Sequence, residues 1–154
     1  MTPNLYDMAV KGHLPARETE RAAIRFGEES RDLLRVMVMH QNLLRGRISE
    51  RMGLARWREA WRNVMATGVD LVLCGHDHEE RAGVLPNGAV VATAGTHTSR
   101  TRGRRPSACN LIVADTQSIV IRHYIWDAAD RAFHPGVEIS YPRPRAAELQ
   151  GAGG

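Results

Sequence analysis

The stretch Val72-Leu73-Cys74-Gly75-His76-Asp77-His78-Glu79-Glu80 ends an apolar run at a glycine and places two imidazoles one residue apart. A neutral imidazole is the commonest protein ligand for a divalent transition metal. A third histidine, His40, closes an earlier apolar run, Val36-Met37-Val38-Met39. One histidine at a strand end is more often a satisfied polar residue than a ligand, and His-x-His alone is a moderate signal. The combination weighs more, because both apolar runs read as buried strands separated by one helical segment.

The intervening elements decide whether the three rings can meet. Residues 54–67 place Leu54, Trp57, Trp61, Val64 and Met65 on one helical face, and Gly68 follows as a stop. The Trp57/Trp61 spacing suits a core better than a cofactor contact. Val36–Met39 is apolar without alternation, the pattern of a strand covered on both faces. Asp70 leads into a second such strand, Leu71–Cys74. Two strands joined by a helix run parallel with a right-handed crossover, so their C-terminal ends share one sheet edge, where α/β folds place ligands. Strands lie ~4.8 Å apart, close enough for side chains at their ends to touch. In extended chain His76 and His78 would face together and Asp77 would turn aside. Gly75 would let the backbone turn. His40, His76 and His78 are therefore the candidate metal ligands.

The remaining pattern changes character. Residues 15–33 read as a helix with Ala22, Ala23 and Phe26 on one face. Residues 80–94 read as two short strands around Pro86-Asn87-Gly88, residues 109–114 and 118–126 as a hairpin around Asp115-Thr116-Gln117, and residues 133–141 as one more strand. A parallel βαβ unit followed by an antiparallel meander predicts an α/β layered sandwich. Residues 1–141 form one domain on this reading, and 142–154, "PRPRAAELQGAGG", a disordered tail.

Composition narrows the function classes. The 154 residues are 43% hydrophobic and 25% charged, which fits a folded domain with a core rather than a disordered chain. No run is long and apolar enough for a membrane span, and the N-terminus lacks a signal-peptide layout. Cys74 and Cys109 lie in apolar runs without CxxC spacing, so a thiolate zinc site is disfavoured and free thiols in a reducing, cytoplasmic setting are expected. The net charge of +4 suits an anionic substrate or nucleic acid, and equally a biased genome composition. Strand-end histidines are not needed to grip a phosphate backbone, so nucleic acid is the weaker partner.

Val36-Met37-Val38-Met39-His40, then Gly75-His76-Asp77-His78, then Ala94-Gly95-Thr96, resembles the C-terminal half of the calcineurin-like metallophosphoesterases. "TAGTHTSRTRGRRPSACNLIVAD" is similar to the segment after the last metal motif in the bacterial branch that contains cyclic-nucleotide phosphodiesterases. The resemblance implies the C-terminal half of a four-layer αββα sandwich and hydrolysis of phosphodiesters or phosphomonoesters by a metal-activated water. It implies two divalent metals (Mn, Fe, Zn or Mg) about 3.5–4 Å apart in the full site. The positions of His40 and His76 ligate one metal there, and that of His78 the other.

The departures from the family pattern are equally definite. Its Asp-x-His, Gly-Asp and Gly-Asn-His-Asp motifs are absent before His40, and with them the bridging aspartate and the acid histidine. No catalytic residue is therefore assigned, and the chain alone is expected to be inactive. The missing half would come from another chain, or the chain would self-associate. The rival reading is a non-catalytic remnant of the fold. His97 stands where the family prefers a small residue, either as a substrate-side or metal-supporting group or as plain surface. Arg100 and Arg102, with Arg104 and Arg105, either attract a phosphate or form a solvated charged loop.

Overall fold

In a computed structural model, residues 12–44, 53–97 and 105–144 are described. Helix α1 spans Ala16–Glu28 and strand β1 Val36–Val38. Helix α2 spans Trp57–Ala66, β2 Leu71–Cys74, β3 Arg81–Val84 and β4 Val90–Thr93. Then come β5 (Ala108–Ala114), β6 (Ser118–Asp127) and β7 (Ala132–Pro142). Every expected element is present, with α1 ending early. Its backbone turns extended at Glu29, and Ser30 Oγ accepts the Asp32 N–H at 3.3 Å in the loop that follows.

The strands form two sheets, a mixed one in the order β1-β2-β4-β3 and an antiparallel one in the order β5-β6-β7. The β1–β2 pairing is parallel, as the crossover requires. The expected single meander is divided. β4 returns antiparallel to β3 but pairs parallel with β2, so this hairpin belongs to the first sheet. Burial explains the placement. All four residues of β4 are buried, as a central strand requires, whereas β3 begins with exposed Arg81 and ends with half-exposed Val84.

Alternation sorts the core into two faces. Val72, Cys74 and Val91 pack with Ala60 and Val64 of α2, while Trp57, Trp61 and Phe26 complete that layer from partly buried positions. Trp57 and Trp61 stack at 5.0 Å, so the helical pair is core, as expected. On the other face Leu71, Val90 and Ala92 meet Ile119 and Ile121 of β6. The described residues thus make helices, a mixed sheet and an antiparallel sheet, an α/β arrangement. The far side of the second sheet carries exposed Leu111 and Val113.

The expectation that β1 is covered on both faces fails. Met37 reaches the core, but Val38 is 75% exposed, because β1 is the outer strand of the sheet that the described residues form.

Arg143 lies in the segment expected to be a free tail, yet it is 3% exposed. It donates to Leu33 O (2.6 Å), Asp32 O (3.2 Å) and Asp115 O (3.3 Å), and pairs with Asp70 at 3.2 Å. Asp70 in turn accepts the Arg35 N–H at 2.9 Å. This staple closes the edge of the mixed sheet opposite the histidines.

Candidate functional site

The backbone ladder of β1 and β2 continues beyond the strands. Met39 N–H donates to Leu73 O (2.9 Å) and Gly75 N–H to His40 O (3.1 Å). On the other side Ala94 N–H donates to Cys74 O at 2.9 Å. Three consecutive strands of the sheet, β1, β2 and β4, therefore release their chains at one edge, carrying His40, the 75–78 turn and Thr96.

The turn is tight rather than extended. His76 (φ 71°) and His78 (φ 56°) both adopt the left-handed conformation, and Asp77 N–H donates back to Gly75 O at 2.9 Å. The bend expected at Gly75 is made by the two histidines. Each such residue costs about 1–2 kcal/mol, so the turn persists only where its surroundings hold it.

His40 and His76 meet. Nε2 of His40 lies 3.3 Å from Nδ1 of His76, with the rings edge to face at 5.2 Å. An imidazole hydrogen bond accounts for such a separation. Two nitrogens bound to one cation at about 2.0–2.1 Å with tetrahedral angles would also stand about 3.3–3.4 Å apart. The separation alone is compatible with either arrangement. His78 faces elsewhere, its Nδ1 2.5 Å from Thr96 Oγ1. With the proton on Nδ1, Thr96 accepts it and Nε2 is left with a lone pair, the arrangement that commonly supports a histidine ligand. Among the described residues, no three His, Cys, Asp or Glu side chains form a group that could hold a metal.

Asp77, which sequence alternation turns aside, goes inward. It is 4% exposed, and its Oδ2 accepts Nδ2 of Asn42 at 2.9 Å. Asn42, 1% exposed, accepts the Leu44 N–H on Oδ1 at 2.8 Å. Below the turn the Cys74 thiol is pushed up to about 11, mainly by burial, with the Asp77 charge adding to it against a backbone hydrogen bond at Leu43.

A second polar chain ties the site to the other sheet. Asn110 of β5 donates Nδ2 to Thr93 O at 2.9 Å, and its Oδ1 lies 2.7 Å from His123 Nδ1. The amide orientation makes His123 the donor, which fixes the proton on Nδ1. A Cβ on Gly95 would sit 2.8 Å from Ala108 Cβ, so only glycine lets β5 approach the turn that carries Thr96. Ala108 N–H donates to Thr96 O at 3.0 Å. Asn42, Asn110 and His123 escaped the sequence reading, and Thr96 entered it only as part of the Ala94-Gly95-Thr96 motif. For Asn42, the spacing two residues beyond His40 offered a signal.

His97 is exposed and stacks on Phe133 at 5.1 Å, and Trp126 meets the same ring edge-on at 5.2 Å. Arg100, Arg102 and Arg104 lie outside the described residues. Arg105 is committed to Glu79 at 2.5 Å, with Glu80 at 4.0 Å. No helix among the described residues is long and apolar enough to cross a membrane.

No family model and no curated protein matches the chain. Solved structures do. Chaetomium thermophilum Vps29 in complex with a RaPID-derived cyclic peptide aligns with a TM-score of 0.51 at 14% identity, over 75% of this chain and 61% of that one. Vacuolar protein sorting 29 from Cryptosporidium parvum gives 0.48 at 18% identity, over 69% and 52%. A protein from Streptococcus pneumoniae TIGR4 described as a predicted phosphoesterase gives 0.46 at 17%, over 63% and 51%. At these identities the likeness is one of fold, and the first alignment carries it: the chain has the calcineurin-like metallophosphoesterase fold. It spans 61%, 52% and 51% of the length of these three structures.

Proposed function

We propose that the sheet edge bearing His40, His76 and His78 is the histidine side of a divalent-metal centre for phosphate-ester hydrolysis. The observation that carries this reading is the 3.3 Å approach of the His40 and His76 ring nitrogens at two parallel strand ends. His40 and His76 would share one cation, and His78, held through Nδ1 by Thr96, would offer Nε2 to a second. Bound there, Mn²⁺, Zn²⁺ or a similar ion would polarise the phosphoryl group and lower the pKa of the attacking water. The chain's own residues orient the rings. Arg100 and Arg102 would draw an anionic ester toward them, and His97, anchored on Phe133, would border the substrate.

The described residues supply imidazoles and no metal-bridging carboxylate. The 154 residues alone are therefore inactive on this reading, and turnover requires a chain bearing Asp-x-His, Gly-Asp and Gly-Asn-His-Asp. Calorimetry with Mn²⁺ or Zn²⁺ on the parent and on His76→Ala/His78→Ala tests the site. Weak binding lost in the variant is expected, and equal affinity in both would refute it. Hydrolysis of bis-p-nitrophenyl phosphate should appear only with the complementing chain.

A second reading, a binding scaffold without catalysis, is favoured by the exposed β1 strand and the apolar outer face of Leu111 and Val113. One fold neighbour was solved with a peptide bound. Sedimentation separates the two readings. Self-association relieved by Val38→Lys, with no metal uptake, would favour the scaffold.

A further inference from the structure

We infer that Asn42 and Asp77 are a positioning pair that sets the distance between His40 and His76, an inference that rests on the metal-centre reading for its purpose but not for its geometry. The 75–78 turn has two strained histidines, both partly exposed, around one buried residue, Asp77. The carboxylate is therefore the part of the turn with a fixed seat in the interior. Its partner Asn42 stands two residues beyond His40, on the chain that leaves β1. Asn42 cannot rotate to suit. Its Oδ1 is held by the Leu44 N–H, so Nδ2 is the end that must face Asp77. The contact clamps two loops that are also joined by the Gly75 N–H bond to His40 O and by the His40–His76 ring contact.

A buried amide–carboxylate contact could simply satisfy two core polar groups. The placement argues for more. It links the residue between His76 and His78 to the loop that begins with His40, and the rings it brackets meet at 3.3 Å. Groups that orient metal-binding histidines typically change affinity 10–100-fold when removed.

The test uses two readouts on the full chain. One is the nuclear Overhauser contact between the His40 and His76 rings without metal. The other is Mn²⁺ affinity by calorimetry. Asn42→Asp sets two carboxylates against each other and should abolish the ring contact and weaken Mn²⁺ binding at least tenfold. Asn42→Asp/Asp77→Asn exchanges donor and acceptor, keeps an oxygen for the Leu44 N–H, and should restore both. A purely core role predicts lower stability with the ring contact intact. A ring contact that survives in Asn42→Asp, or that the exchange fails to restore, overturns the inference. If Asn42→Asp does not fold, Asp77→Ala removes the same bond without opposed charges, and a surviving contact there overturns it equally. A parent that shows the ring contact and its loss and rescue, yet binds no Mn²⁺, would refute the metal-centre reading while leaving the positioning pair in place.

Discussion

Thr96 Oγ1 lies 2.5 Å from Nδ1 of His78, so a residue at the end of one strand orients an imidazole at the end of its neighbour. Thr96→Val keeps the shape of the side chain and removes its only polar atom. The His78 ring should then sample more orientations, and Mn²⁺ affinity should drop by about tenfold with little change in thermal midpoint. Calorimetry and a melting curve on the same preparation decide it. A large loss of stability with unchanged affinity would assign Thr96 to the fold instead.

The Asp70–Arg143 pair is buried on both sides, at 1% and 3% exposure. Removing one member leaves the other charge without its partner, which typically costs about 3–5 kcal/mol. Arg143→Ala should lower the urea midpoint by that order. Arg143→Lys should recover only part, because one ammonium cannot reach the three carbonyls and the carboxylate that the guanidinium serves.

Cys74 should make the fold sensitive to alkali. Burial raises the folded-state thiol to about 11 against an ordinary value of 9.0. The folded state thus holds the proton more tightly than the unfolded one. This contribution is fully present below about pH 9 and is lost as pH rises through about 11. Urea titrations across that window should show falling stability, and Cys74→Ala should flatten the slope. Without denaturant, a thiol reagent should label half-buried Cys109 well before Cys74.

The opposite sign holds at two tight turns. Asp115 accepts the N–H groups of Gln117 and Ser118, each at 2.7 Å, and these hold its carboxyl below the usual range. Asp127 is lowered in the same way by the N–H groups of Asp130 and Ala129. Their contribution is present above the ordinary carboxylate value near 4 and disappears as pH falls through the lower folded value. Asp115→Ala should therefore be less stable than the parent at pH 7, with the difference shrinking as pH falls below the ordinary carboxylate value near 4. A constant difference across that range would point to loop conformation rather than ionisation.

The strands were legible because each apolar run has a clear boundary. Gly68, Asn87-Gly88 and the Asp115 turn all end elements where their chemistry requires. The order of the sheet was not legible. Val90–Thr93 forms a hairpin with β3 whether or not β4 also pairs with β2, and only packing shows that it does. For the site, the strand-end rule placed His40 beside His76 correctly. Period-2 alternation then failed at residues 76–78, because the chain leaves the strand and both histidines take positive φ. Arg143 read as tail because one arginine among prolines carries no pattern, and its role exists through groups 28 to 111 residues away in sequence.

That last separation has a temporal meaning. During synthesis β1 and β2 emerge long before Arg143, and Asp70 would enter the interior without the guanidinium that faces it in the finished fold. The mixed sheet therefore has a reason to stay loosely closed until the final strand arrives, and ribosome-bound chains cut short before residue 143 should be protease-sensitive throughout. Such late, long-range closure is slow, and it leaves the half-made sheet exposed to chaperones or to its own copies for the whole of that interval.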